Sequence, residues 1–149
     1  MSGKVNVKKF RKVLVANRGE IAIRIFRALS ELGITTVSIY SKEDRYAMFR
    51  SKADESYPLN PQKGPIDAYL DIDTIIKIAL STGVDAIHPG YGFLSENPDF
   101  ADACERNGIV FIGPGSNIMN AMGDKISSKQ IAIAADVPII PGVDLSLIH

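Results

Sequence analysis

Three short stretches of this chain carry residue types that could do chemistry. The richest is 88–97 (HPGYGFLSEN), which sets imidazole, phenol, carboxylate and amide groups around two glycines. Gly90 and Gly92 flank Tyr91, so the backbone there can come close to a flat ligand. A histidine at a strand end is more often structural, and His88 is read that way. The loop as a whole is polar, long and of the kind that carries function. The second stretch is 17–20 (NRGE). It has one glycine, not the G-x-G-x-x-G series that lets a pyrophosphate approach the backbone, so dinucleotide binding is weakly supported. Arg18 and Glu20 fit turn and cap chemistry as well as a part in a larger site. The third is 123–125 (GDK). Asp124 suits a helix N-cap, which puts Lys125 in the first turn, where the helix dipole disfavours a cation by ~0.3–1 kcal/mol. A bound anion such as phosphate would remove that conflict. A solvated surface lysine is the plainer reading.

These stretches are spaced by a regular alternation of elements. Short apolar runs at 12–16 (KVLVA), 35–40 (TTVSIY), 85–88 (DAIH) and 109–112 (IVFI) read as strands, with 55–59 (ESYPL) extended. Helical spacing marks 20–32, 71–82 and 98–107, with a short helix at 47–52, another at 117–122 and a longer one at 125–135. Residues 60–65 (NPQKGP) are a loop, and 138–140 can open a further strand. In 20–32 the expected inward stripe is Ile21, Ile25, Ala28, Leu29 and Leu32, with Gly33 as the stop. In 71–82 it is Ile72, Ile75, Ile76 and Ala79. Strands separated by helices imply parallel pairing through right-handed crossovers. The expected architecture is α/β, a Rossmann-like open parallel sheet with helices on both faces. The ligand-bearing loops then belong at the carboxyl ends of the strands.

On the first helix, Arg24, Arg27 and Glu31 share a stripe away from the apolar side. Such a stripe is a solvated face or an interface. Cys104 falls in the helix after the glycine loop, with no histidine near it in sequence, and is read as core packing.

Bulk composition narrows the function classes. The chain has 149 residues, 46% hydrophobic and 23% charged, as ordinary globular domains do. Seventeen basic and seventeen acidic residues cancel, so neither nucleic acid nor an acidic membrane is an expected partner. No apolar run is long enough to span a bilayer. One cysteine permits no internal disulfide and fits a reducing compartment, and the expected location is the cytoplasm. Residues 1–10 form a basic arm without the apolar core of a secretory signal.

Taken jointly, the blocks are far more specific than any one of them. The run 12–27 (KVLVANRGEIAIRIFR), the loop 88–97, then 111–114 (FIGP), 122–125 (MGDK) and 137–142 (VPIIPG) follow one another in the order found in biotin carboxylase domains. On these residues the chain resembles the amino-terminal part of such a domain in the biotin-dependent carboxylase family. The blocks 40–44 (YSKED), 52–55 (KADE) and 65–72 (PIDAYLDI) look most like the pyruvate carboxylase branch, with acyl-CoA carboxylases and their separate biotin carboxylase subunits close behind.

The resemblance implies a ligase. ATP phosphorylates bicarbonate, the carboxyphosphate releases CO2, biotin takes it up at N1, and biotin then carries it to pyruvate to give oxaloacetate. It implies ATP, biotin and Mg as cofactors. It implies that Lys125 contacts ATP phosphates, that Tyr91, Gly92 and Glu96 belong to the biotin and bicarbonate pocket, and that Arg24, Arg27 and Glu31 lie at a dimer interface of a homo-oligomer. The implied partners are the rest of a carboxylase, namely ATP-grasp, carboxyltransferase and biotin carrier domains. The expected division is a pre-ATP-grasp domain over 11–115, the start of an ATP-grasp region over 116–144, and a tail at 145–149 outside the family pattern. The family's glycine-rich lid, metal-binding glutamates, catalytic arginine and Met-Lys biotinylation motif do not occur in these residues. Lys129 stands where relatives carry arginine. The chain is therefore expected to be inactive alone, and a non-catalytic binding fragment is the contrasting reading.

Overall fold

A computed structural model describes residues 9–122. Five strands form one parallel sheet: β1 (Lys12–Val15), β2 (Thr35–Tyr40), β3 (Glu55–Pro58), β4 (Ala86–His88) and β5 (Val110–Phe111), in the spatial order β3-β2-β1-β4-β5. Register is set by Leu14 beside Val37 on one flank and beside Ile87 on the other. The chain first moves outward from β1 to β3, then crosses back to lay β4 on the other side of β1. The order therefore reverses between β1 and β4, which opens a crevice at their carboxyl ends.

Successive strand residues point to opposite faces, and both faces are covered. Val13, Val15 and Ala86 meet α1 (Gly19–Glu31) and α2 (Met48–Ser51) through Ala22, Ile25, Phe26, Leu29 and Phe49. Leu14, Val37, Ile39 and Ile87 meet α3 (Ile72–Thr82) and α4 (Pro98–Arg106) through Ile75, Ile76, Ala79, Phe100, Ala103 and Cys104. The expected fold class is the observed one. A last described helix, α5 (Ser116–Met122), follows β5.

Helix ends follow local chemistry. Asp71, expected inside α3, instead caps it and accepts from the Thr74 N–H at 3.3 Å. Gly83 closes the same helix at φ 69°, a left-handed conformation that glycine adopts without a Cβ penalty. Asn97 caps α4 by accepting from the Asp99 and Phe100 N–H groups, and Pro98 takes the first turn.

The inward stripe of α1 differs from the sequence reading. It runs through Ala22, Ile25, Phe26 and Leu29, while Ala28 is exposed and Leu32 is 75% exposed. The helix is turned so that Ala22 and Phe26 face β1. The chain then reverses at Gly33, and the Ile34 N–H bonds the Leu29 carbonyl at 3.0 Å, so Ile34 packs where Leu32 was expected. Strand β5 is shorter than expected because the Ile109 N–H is taken by the Cys104 carbonyl at the end of α4. Two 3-10 turns, Lys42–Asp44 and Asp67–Leu70, have no apolar period and were not anticipated. The expected helix over 125–135 and strand at 138–140 lie outside the described residues, as does most of the basic arm.

Phe100 is fully buried and meets Phe111 edge-on at 5.8 Å. Phe100→Ala should cost about 3–5 kcal/mol in denaturant unfolding. Leu32→Ala, on the exposed side, should change stability by no more than about 0.5 kcal/mol.

Candidate functional site

Because all strands run the same way, every loop that leaves a carboxyl end lies on one rim. Two neighbouring residues after β1 organise that rim. Asn17 is 2% exposed and spans the crevice between β1 and β4. Its Nδ2 donates to the Pro89 carbonyl at 2.9 Å and to the Tyr91 carbonyl at 2.8 Å. Its Oδ1 accepts from the Arg18 N–H at 2.8 Å. Two carbonyl partners fix the amide nitrogen on the loop side, since only that atom can donate. Gly90 sits over this amide at φ +66°, and a Cβ there would lie 2.7 Å from Asn17 Nδ2. Glycine is required by both the backbone angle and the space.

Arg18 reaches the opposite way. Its Nε and Nη2 form a two-pronged pair with Asp44 Oδ2 and Oδ1 at 2.7 and 2.8 Å. Asp44, in the 3-10 turn after β2, also accepts from the Tyr69 hydroxyl at 2.5 Å. Tyr69 is fully buried and its oxygen accepts from the Ser41 N–H at 3.1 Å. The Arg18 guanidinium holds the Asp44 carboxyl below the usual carboxylate range, with the Tyr69 hydroxyl acting in the same sense and partial burial opposing. Burial, then the nearby Asp44, pushes the Tyr69 phenol up, so it remains a donor. Arg18 stands at the N-cap position of α1 but makes no side-chain cap bond, so its turn-and-cap reading gives way to this ion pair.

The loop between β4 and α4 is tightly folded. The Ser95 N–H bonds the Gly92 carbonyl and the Asn97 N–H bonds the Leu94 carbonyl, at 2.9 and 3.1 Å. Leu94 is buried in the core below. Phe93 adopts φ 44°, a strained value for an aromatic residue, and its ring packs 5.4 Å from that of Tyr69. Above these anchors Tyr91 is 71% exposed, and Gly92 and Glu96 are also exposed. His88 closes β4. Its Nδ1 accepts from the Gly90 N–H at 3.0 Å, which leaves the other nitrogen protonated, and burial lowers its pKa. That geometry matches its structural reading.

Tyr91, Gly92 and Glu96 thus share one loop at the rim. Arg24, Arg27 and Glu31 lie together on the exposed side of α1, a separate surface. Lys125 lies outside the described residues. Cys104 is fully buried and burial pushes its thiol up to about 12, in keeping with core packing. Among the described residues no group of three or more His, Cys, Asp or Glu side chains is placed to hold a metal ion. Among them, too, no helix is long and apolar enough to cross a membrane. Sequence reading assigned no role to Asn17, Asp44 or Tyr69. The signal open to it was that each falls within a block quoted for the family resemblance.

Asp44 carries a pH prediction. Its folded pKa lies below the unfolded one, so its contribution is present above the unfolded value and is lost as pH falls through the folded value. Asp44→Asn should melt lower than the parent at neutral pH. The gap should close as pH drops below about 4, as read in melting curves taken across that range.

The family described as "Biotin carboxylase, N-terminal domain" matches residues 9–119. The chain is 54% identical to mitochondrial pyruvate carboxylase of Mus musculus over 148 residues, which is 98% of this chain and 13% of the relative. It is 60% identical to pyruvate carboxylase of Bacillus subtilis over 137 residues, 92% of this chain and 12% of the relative. Among solved structures it superposes on the complete multifunctional pyruvate carboxylase of Rhizobium etli with a TM-score of 0.81 at 51% identity, covering 90% of this chain and 13% of that one. It superposes equally well, TM-score 0.82 at 50% identity, on the biotin carboxylase domain of a thermophilic 2-oxoglutarate carboxylase bound to bicarbonate, covering 92% and 30%. The chain therefore spans about an eighth of the length of the curated relatives it matches. With its crossed-back parallel sheet and its 9–119 match, the chain belongs to the biotin carboxylase N-terminal domain family.

Proposed function

We propose that the chain is the amino-terminal part of a biotin-dependent carboxylase that forms oxaloacetate from pyruvate, with ATP and bicarbonate consumed in charging biotin. The observation that carries this reading is the loop 88–97, pinned across the β1–β4 crevice with Tyr91 presented to solvent. Biotin, when bound, supplies a carrier for the carboxyl group between two active sites. In this reading Tyr91 and Gly92 line the pocket for biotin and bicarbonate, with Glu96 beside them. A bare backbone at Gly92, where a Cβ would meet nothing within 4 Å, lets a planar ring approach closely. In the same reading Lys125 contacts ATP phosphates.

The acceptor rests on narrower grounds. Structures named for 2-oxoglutarate carboxylase and for the urea carboxylase of Kluyveromyces lactis share this fold at 50% and 48% identity. The blocks YSKED, KADE and PIDAYLDI, together with pyruvate carboxylase relatives at 54–60% identity, favour pyruvate.

The metal-binding, lid and catalytic groups are proposed to belong to an ATP-grasp region that begins near residue 116. The division at 115/116 and the tail at 145–149 are part of this proposal. The exposed Arg24, Arg27 and Glu31 are proposed to meet a second copy in a homo-oligomer, with carboxyltransferase and biotin carrier domains as further partners. A reducing compartment, the cytoplasm, is proposed on the lone buried Cys104.

Three outcomes test the reading. The purified 149-residue chain should show no ATP- and bicarbonate-dependent carboxylation of free biotin above a no-protein control, because the clamps that stabilise a transferring phosphoryl group are missing from it. In the full-length carboxylase that carries this segment, Lys125→Gln should lose one charge-assisted contact of ~1.5–3 kcal/mol and weaken ATP use roughly ten- to a hundredfold, with little change in melting temperature. Unchanged ATP kinetics would remove Lys125 from the site. Tyr91→Phe should disturb transfer to biotin more than ATP affinity.

A further inference from the structure

The loop that carries Tyr91 is held from below by groups that stand outside the roles given above. It is gripped at two places. At its start, Asn17 Nδ2 holds the carbonyls of Pro89 and Tyr91, with Gly90 folded tightly over the amide. At its middle, the strained Phe93 rests on the ring of Tyr69. Tyr69 is in turn fixed by its bond to Asp44, which Arg18 holds with two prongs. Both grips lead back to adjacent residues, Asn17 and Arg18, at the end of the central strand.

A φ of 44° at Phe93 persists only where its surroundings over-determine it. A loop held only by its own turns would relax that angle. The side chain the loop lifts into solvent, Tyr91, makes no side-chain hydrogen bond or ring contact of its own among the described residues, so its position depends on the backbone beneath it. We infer that Asn17 and the Arg18–Asp44–Tyr69 network are positioning residues that hold the Tyr91 loop in its ligand-ready shape. The inference rests on the proposal that Tyr91 lines the biotin pocket. Its consequence is specific: loosening the clamp should impair use of biotin and leave ATP handling nearly intact, because the ATP contact is assigned to a different segment.

Asn17→Asp is the sharpest variant. It keeps the volume and the oxygen that accepts from the Arg18 N–H, and it sets a carboxylate oxygen against the two loop carbonyls. Tyr69→Phe breaks the second grip while keeping the ring under Phe93. Gly90→Ala pushes a methyl group against Asn17 from the loop side and serves if Asn17→Asp fails to fold. Each is made in the full-length carboxylase that carries this segment, and bicarbonate-dependent ATP cleavage is followed with free biotin as the probe. KM for biotin should rise about tenfold and KM for ATP should stay within about twofold. In the 149-residue chain, amide hydrogen exchange at Gly90, Ser95 and Asn97, whose N–H groups are hydrogen-bonded at the loop, should quicken about tenfold while that of β1 and β2 holds.

A merely structural role would lower stability without splitting the two KM values, and equal rises in both would overturn the inference. So would unchanged exchange and unchanged biotin KM in Asn17→Asp beside a raised biotin KM in Tyr91→Ala, a result that leaves the pocket assignment standing. If Tyr91→Ala itself leaves the biotin KM unchanged, the pocket assignment falls, while faster exchange at Gly90, Ser95 and Asn97 in Asn17→Asp still upholds the clamp.

Discussion

A single dipeptide at the end of the central strand ties the rim of this domain together. Asn17 reaches across the sheet to the loop after β4, and Arg18 reaches back to the turn after β2. Through Asp44, Arg18 also holds Tyr69, which follows β3. Four loops that are far apart in sequence are thereby fixed to one another by side chains of adjacent residues. A parallel sheet makes this possible, because it delivers every strand's carboxyl end to the same edge. It also makes such ties necessary, since the connecting loops share no backbone ladder of their own.

The clamp is polar and largely withdrawn from water, which raises the stakes of each bond. A buried donor or acceptor left without its partner costs more than the pair contributes when made. The ion pair is asymmetric in exposure: the Arg18 side chain is 46% exposed and that of Asp44 10%. Asp44 is the member that loses most water on folding, and it is the one with three donor groups aimed at it, two from Arg18 and one from Tyr69. The same logic explains Asn17, whose amide nitrogen faces two carbonyls and whose oxygen meets a backbone N–H. These groups hold a shape; the loop they support presents the groups that can meet a ligand.

The sheet's two faces divide labour in a way that serves the rim. Helices α1 and α2 cover one face and α3 and α4 the other, so the central strand β1 is buried on both faces through Val13, Leu14 and Val15. The exposed charged stripe of α1 is then free of packing duties, and the loop after β4 begins from a strand paired on both sides. Leu94 drops into the core cluster that also holds Phe100 and gives the loop a third, apolar anchor.

The amino-acid sequence by itself determined the element order, the parallel α/β architecture and the polar, glycine-bearing character of the loop 88–97. Periods of apolar residues, capping residues such as Asn97, and glycines at turns are local signals, and they are read locally. It also carried the family resemblance, because whole blocks in order are more specific than spacing. Tertiary structure decided what local signals cannot encode. The facing of α1 depended on which side Phe26 and Ala22 found against β1, so Ala28 and Leu32 turned outward against the simple helical stripe. The 3-10 turns at Lys42–Asp44 and Asp67–Leu70 have no period to read, and their form follows from the partners their side chains meet. The pairing of Asn17 with residues 72 and 74 positions away, and of Arg18 with Asp44, exists only once the sheet has brought those strand ends together. Hydrogen bonds between distant residues are a property of the assembled rim, and the rim is a property of the strand order.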